Sequence, residues 1–559
     1  MPVLSGAQIV VNALKACGVD LVVGITGHTI MEVIDELCRD ETIRAIYARN
    51  EVNGAFILYG YNRFLNRTRG VGLWHVAGAP HISPCVISAS LDKVPMVHIC
   101  GNVLSEFKGK SSFQETKIYE MFLPISKWAF RIERTDQIPT ALIKAIITSE
   151  SGMPGPCILD VPFDHFVNKI DIELPKKVER CAKPAGDETS IKECCEIILK
   201  ADRPVILAGR GVICSEACSE VQELAELLCI PVISGQGAKG CISEEHPLAL
   251  GIPGFNGWRC ANEYMEKSDC WIAIGLSFNQ FDTQEWNVKT PANLIHIDVE
   301  PTQIGKIYPS TIGIVGDAKL VLQRMIRYLK EKIGVIKPYQ EYPRFKEISE
   351  MKSRWMNELL PRLEDESKPM SPFRLIKEIR DIAVKFGATV VTDSSCSYEF
   401  SSQAMIVKTP QDLIYSHNYS CLGAGFPAAI GVKLASPNKP VICLTGDGGF
   451  HYSFSELAVC TMEKIPVVTV IMNNGWLNTN KMICDVLFGK RRYWVRLNNP
   501  DWVQLAKSFG VDGVRVESPE DLRKALREAL NSGTPYVIDA ITDDAVPIIL
   551  TGRPWKVKW

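Results

Sequence analysis

The sequence lacks a dominant charge: 62 Lys and Arg against 64 Asp and Glu leave a net of -2 over 559 residues, with a pI near 6.5. That balance removes the electrostatic case for nucleic acid or an anionic membrane as partner. A small-molecule substrate is expected instead. No uninterrupted apolar run approaches the roughly 18 residues of a membrane span. Missing too are a charged n-region and a small-residue cleavage site at the start, where Asn12, Lys15 and Asp20 interrupt the apolar residues. No Cys-x-x-Cys occurs among the 19 cysteines, which are scattered through predicted helices and strands. They read as reduced, buried thiols of a cytoplasmic protein.

What is present is an ordinary globular composition, 46% hydrophobic and 23% charged, on a chain too long for a single core. Residues 1–180 alternate amphipathic helices with short apolar runs (Leu21 to Ile25, Ile43 to Ala48, Val71 to His75, Met96 to Cys100, Cys157 to Val161). This is the rhythm of a parallel sheet covered on both faces. Pro175 to Glu188 reads as a linker. A second α/β unit, residues 190–330, starts at Pro204-Val205-Ile206-Leu207-Ala208-Gly209. The charged, weakly patterned stretch from Lys330 to Pro369 then leads to a third unit, residues 370–559.

Two motifs in the third unit carry chemistry. Gly446-Asp447-Gly448 follows the apolar run Val441 to Leu444, and Asn473-Asn474 follows Val467 to Met472, with 24 residues between the motifs. Each places a hard oxygen donor at the C-terminal edge of a strand, where open α/β sheets bind ligands. Gly-Asp-Gly alone is also an ordinary strand-ending turn. In the first unit, Glu51 follows the strand Ile43 to Ala48 and opens a helix, a place that the helix dipole favours for any carboxylate.

Together these motifs resemble the thiamin diphosphate (ThDP) enzymes, the family that includes acetohydroxyacid synthase and benzaldehyde lyase, and the resemblance covers essentially the whole chain. Further segments carry it: Ser151-Gly152-Met153-Pro154-Gly155-Pro156, Gly425-Phe426-Pro427-Ala428-Ala429-Ile430-Gly431 and Val315-Gly316-Asp317-Ala318. It implies three doubly wound parallel-sheet α/β domains: an N-terminal pyrimidine-binding domain, a central domain and a C-terminal diphosphate- and Mg²⁺-binding domain. It implies Mg²⁺ on Asp447, Asn474 and the Trp476 carbonyl, and the cofactor's diphosphate along Gly446, Asp447, Gly448, Gly449 and Asn474. Glu51 is then the carboxylate that bonds the pyrimidine nitrogen, and Leu422 the apolar wedge that bends the cofactor. In the family the cofactor lies between two subunits, so the resemblance implies a homodimer at least, with a homotetramer expected. The central domain holds FAD in some relatives and ADP or nothing in others. Gly209-Arg210-Gly211-Val212 would suit phosphates, yet Ser277-Phe278 lacks an Arg common in flavin-binding members.

The segments Gly24-Ile25-Thr26-Gly27-His28-Thr29 and Gly72-Leu73-Trp74-His75-Val76-Ala77-Gly78 depart from the acetohydroxyacid synthase pattern. They look more like cyclohexane-1,2-dione hydrolase. That likeness implies active-site roles for His28, His75 and Asn480, and Gln114 matches a glutamine shared widely in the family, although Met31 stands where the hydrolase has another histidine. The implied reaction is hydrolytic opening of a 1,2-diketone to an aldehyde acid, with water activated by His28 or His75. A carboligase or lyase and a 2-keto acid decarboxylase share the same cofactor motifs and stay open, as does a catalytically silent homologue, which would have lost Glu51 or Asp447. His81 lies in the same stretch without a matching motif and is not assigned a role.

Overall fold

The computed structural model describes residues 2–552. Its core is three parallel sheets of six, five and six strands. Their central strands are largely apolar because helices cover both faces; Val441–Gly446, Val468–Asn473 and Met96–Asn102 are buried almost throughout. The first sheet runs, in spatial order, Arg44–Tyr47, Leu21–Ile25, Gly70–Trp74, Met96–Asn102, Pro156–Pro162 and Trp128–Arg131. The chain passes from Leu21–Ile25 to its neighbour on one side and then returns to Gly70–Trp74 on the other. A crevice therefore opens between the C-terminal ends of these two strands.

The other sheets repeat this reversal. The last one is ordered Leu413–Ile414, Thr389–Thr392, Val441–Gly446, Val468–Asn473, Tyr536–Ile541 and Asp512–Val516. Its crevice lies between Thr392 and Gly446. In the central sheet (Val232–Ser234, Pro204–Ala208, Cys270–Ile274, Asn293–Asp298, Ile312–Val315) it lies between Ala208 and Ile274.

The first and last sheets meet through the helices Glu51–Leu65 and Gly425–Ala435, which share one apolar core. Glycines set their separation. A Cβ on Gly60 would lie 2.0 Å from the Ala428 carbonyl oxygen, and one on Gly431 would lie 1.9 Å from that of Ile57.

The charged, weakly patterned stretch from Lys330 to Pro369 carries the helix Arg344–Leu363. Ile348, Met351, Trp355 and Leu359 are buried on one face at helical spacing. They are few among many charges, which masks the period. The strands Trp128–Arg131 and Asp512–Val516, also unexpected, lie at sheet edges and are only partly buried, so their residues do not form an apolar run. Val3–Ser5 and Lys169–Asp171 form a separate antiparallel pair. All 19 cysteines are free. No helix among the described residues is long and apolar enough to cross a membrane.

Candidate functional site

At the crevice of the last sheet the strand Val441–Gly446 ends and Asp447 opens the short helix Asp447–Phe450. The Asp447 carboxylate is 2% exposed. It accepts hydrogen bonds from Gly448 N at 3.0 Å, Gly475 N at 2.7 Å and the Asn499 side-chain amide at 2.7 Å. Burial pushes its pKa up against these donors, the condition that a bound cation relieves. Asn474 and Trp476 stand beside it in the next turn, where Asn474 Oδ1 takes Trp476 N at 3.0 Å. Among the described residues no three His, Cys, Asp or Glu side chains converge as a metal group. The metal set that the resemblance implies is one carboxylate, one amide and one backbone carbonyl, hard oxygens of the kind Mg²⁺ takes alongside water and phosphate.

Space for a diphosphate is present on the same edge. A Cβ on Gly446 would meet nothing within 4 Å. Across the crevice Ser395, at φ +63°, opens the helix Cys396–Ala404, and its hydroxyl lies 2.6 Å from that of Thr479. Asp393 between them is buried and accepts from Ser394 N at 2.8 Å, Gly423 N at 3.0 Å and Thr445 Oγ1 at 2.8 Å. It ties the Leu422-Gly423 segment to the sheet. A Cβ on Gly449 would lie 2.4 Å from Asp393 Oδ2, so a larger residue there would displace the Asp393 carboxylate. These residues fit ThDP with Mg²⁺.

At the crevice of the first sheet, Asn50 caps the helix Glu51–Leu65 by accepting from Val52 N at 3.0 Å, and Glu51 occupies its first turn. Buried Glu456, from the other end of the chain, holds this corner by accepting from Arg49 N at 3.2 Å and the Asn53 amide at 3.3 Å. Burial raises Glu456 to about 7.

His28 and His75, 47 residues apart in sequence, come together here with ring centroids 4.8 Å apart. His75 Nδ1 is 3.0 Å from Thr29 Oγ1, which also accepts from Val76 N at 3.2 Å. Its ring crosses bare backbone, since a Cβ on Gly27 would lie 2.2 Å away. Burial, then the neighbouring His28, hold the His75 pKa below the ordinary histidine value, with nearby Gln114 opposing them. Gln114 itself sits at φ +64°, and its Oε1 has no hydrogen-bond partner among the described residues. Phe113 stacks on His28 at 6.4 Å.

Trp74 does not share the cleft with His75. Its ring is fully buried on the opposite side of the strand and donates to His98 Nδ1 at 2.9 Å, as alternation along a strand requires. Leu422 borders a surface pocket with Asn50, Val52, Phe56, His81 and Tyr452. Asn480 is exposed on the helix Asn478–Leu487, two residues beyond the buried Asn478. Asn499 and Asp393 were not singled out from the sequence. Asp393 repeats the signal of Asp447, a carboxylate ending an apolar strand, whereas Asn499 has no spacing signal at all.

In the central sheet the equivalent crevice is lined by Arg210, Gly211, Gly275, Ser277, Asp298 and Asp317, with Lys93 and Arg180 nearby. Backbone packs closely there: a Cβ on Gly209 would lie 2.1 Å from the Gly275 carbonyl oxygen. Arg210 Nε and Nη2 are buried with no hydrogen-bond partner among the described residues.

Three family models match in chain order. They are the thiamine pyrophosphate enzyme N-terminal TPP binding domain at residues 4–121, the central domain at 191–325 and the C-terminal TPP binding domain at 393–540. The chain is 34% identical, over 97% of its length and 92% of the relative's, to a probable acetolactate synthase large subunit of Methanococcus aeolicus. It is 32% identical to the acetolactate synthase large subunit of Haemophilus influenzae, over 97% and 95%. With the isozyme 3 large subunit of Escherichia coli it shares 29% over 95% and 93%. These relatives give the cyclohexane-1,2-dione hydrolase likeness no support and agree with the carboligase alternative. By its three domains, its site and its relatives, the chain belongs to the thiamine pyrophosphate enzyme family.

Proposed function

We propose that this enzyme makes or breaks a carbon–carbon bond next to a carbonyl, and that its reaction is a carboligation of the acetolactate synthase type on a 2-oxo acid such as pyruvate. The observation that carries this reading is the equivalence of the two half-sites. Glu51 and the Asp447–Asn474 pair stand at matching crevices of two sheets, on a chain related over its whole length to acetolactate synthases. Bound ThDP would supply an electron sink for the carbanion that such a reaction needs.

The protein's own groups divide the remaining work. Asp447, Asn474 Oδ1 and the Trp476 carbonyl would hold Mg²⁺, and Gly446 to Gly449 the diphosphate. Glu51 would bond the pyrimidine nitrogen and exchange a proton there. Leu422 would bend the cofactor. His75, its pKa lowered by burial, would accept a proton at the cleft, with His28 packed against it and Gln114 nearby. In this reading the site is shared between subunits, so the active unit is at least a homodimer, with a homotetramer expected. Asn480 would reach substrate only within that assembly.

The His28–His75 pair favours a second reading, hydrolytic opening of a 1,2-diketone, because two imidazoles at one cleft suit activation of water. Incubation with ThDP, Mg²⁺ and either pyruvate or cyclohexane-1,2-dione separates the two. Acetolactate with one CO₂ per two pyruvates supports carboligation. An aldehyde acid formed from the diketone without CO₂ supports hydrolysis, and the absence of both products would sink both readings.

In the central crevice, buried Arg210 and the glycine turns support a phosphate-bearing nucleotide. A yellow purified protein would identify it as FAD.

A further inference from the structure

The Glu51 carboxylate has two different sides. Oε1 is pressed toward bare backbone, where a Cβ on Gly78 would lie 2.2 Å away. Oε2 lies 3.1 Å from His81 Nδ1. His81 is 64% exposed, yet it is not a loose surface side chain, because the turn that carries it is built onto the end of the His75 strand. Gly78 N and Ala79 N donate to His75 O at 3.0 and 2.9 Å, and His81 N donates to Gly78 O at 3.0 Å. Pro80 removes further freedom from the same turn. The segment that places His75 in the cleft therefore also aims His81 at Glu51.

We propose that His81 is a positioning residue for Glu51: its Nδ1–H donates to Oε2, fixes the carboxylate's rotamer over Gly78 and leaves Oε1 as the oxygen free to bond the cofactor's pyrimidine. The proposal rests on the reading that Glu51 activates ThDP. A glutamate at the first turn of a helix has three side-chain torsions, and the Glu51 side chain is 18% exposed. A donor on one oxygen limits those torsions and orders the other oxygen before the cofactor arrives, which is preorganisation of the group that must exchange a proton. His81 takes no part in bond making. Its proton stays on Nδ1 throughout, and a side chain with an equivalent N–H donor should replace it.

Two measurements test this, both independent of the carbonyl substrate. In cofactor-free protein labelled with ¹⁵N-histidine, Glu51→Gln should shift the His81 Nδ1 resonance. An unchanged resonance would mean that the contact does not form. In protein loaded with ThDP and Mg²⁺, exchange of the cofactor's C2 proton for deuterium, read by NMR after acid quench, should slow about 10- to 100-fold in His81→Phe. His81→Gln, which keeps an N–H donor, should recover most of the rate. Wild-type exchange in His81→Phe, or equal slowing in His81→Gln, overturns the proposal while Glu51→Gln remains slow. Wild-type exchange in Glu51→Gln instead removes the underlying reading of Glu51, and the role of His81 with it.

Discussion

The Asn499 side-chain amide donates to the buried Asp447 carboxylate at 2.7 Å from 52 residues further along the chain. The same nitrogen lies 3.0 Å from Asn473 Oδ1, while Asn499 Oδ1 meets His451 Nε2 at 3.0 Å. One amide therefore joins both metal-motif turns and is itself held by a histidine. Asn499→Ala should leave the fold intact. It removes one of the two donors on Asp447 Oδ2, so burial raises the carboxyl further and the anion that binds Mg²⁺ is disfavoured. Affinity for Mg²⁺–ThDP, measured by titration calorimetry, is expected to fall about 10- to 100-fold. Unchanged affinity would show that Asn499 does not support the site.

That pair also marks how much of the site the sequence discloses. Asp447 is legible because an apolar strand ends on it between glycines, and Asn474 because a second strand ends the same way; local pattern alone places both at a ligand edge. Asn499 sits in Asn498-Asn499-Pro500, an ordinary turn, and acquires its role only when the loop folds back. Likewise His28 and His75 are each visible as loop residues after strands, but their meeting depends on strand order, which no local period encodes. The helix Arg344–Leu363 shows the converse failure: its apolar stripe is real but thin, and charge hides it.

His75 tests the chemistry at the other crevice. Its ring is held by Thr29 and the bare backbone of Gly27, away from the Asp447 turn, so His75→Ala should bind ThDP and Mg²⁺ as the wild type does. Turnover on whichever carbonyl substrate is accepted should fall about 10²- to 10⁴-fold, the usual contribution of a general acid–base group. Steady-state kinetics beside a cofactor titration decides it. Full turnover would place His75 outside the mechanism.

His98 gives a pH dependence of known sign. Its buried ring accepts from Trp74 Nε1 at 2.9 Å, and burial pushes its pKa down to about 3. The unfolded chain protonates a histidine near pH 6.5. Between about pH 6.5 and 3 the unfolded state thus binds one more proton, and stability falls as pH falls by up to about 1.4 kcal/mol per pH unit. Above about pH 6.5 the effect vanishes. Glu399 and Glu456, both raised to about 7 by burial, act in the opposite direction, so the comparison must be with a variant. His98→Gln keeps an acceptor for Trp74 without titrating. On going from pH 6 to pH 4 its denaturation midpoint should fall less, or rise more, than that of the wild type. Equal slopes would show that the ring is already charged in the native protein.

Gly60 and Gly431 let the first and last sheets share one core, and they do so reciprocally. Each lies against a backbone carbonyl of the opposite helix, Ala428 and Ile57. Neither has a φ that demands glycine, so the requirement is space alone. Gly60→Ala would place a methyl 2.0 Å from an oxygen, and only separation of the two helices relieves that. Overpacking of this kind costs about 1 to 3 kcal/mol. Alanine is otherwise the better helix former by about 1 kcal/mol, so any loss observed is net of that gain. Thermal unfolding of Gly60→Ala and Gly431→Ala should show lower midpoints in both. Because the two clashes lie on one crossing and one helix shift relieves both, the double variant should lose less than the sum of the single losses. Strict additivity would show that the helices yield independently, and an unchanged midpoint in either single variant would show that the crossing is not close-packed.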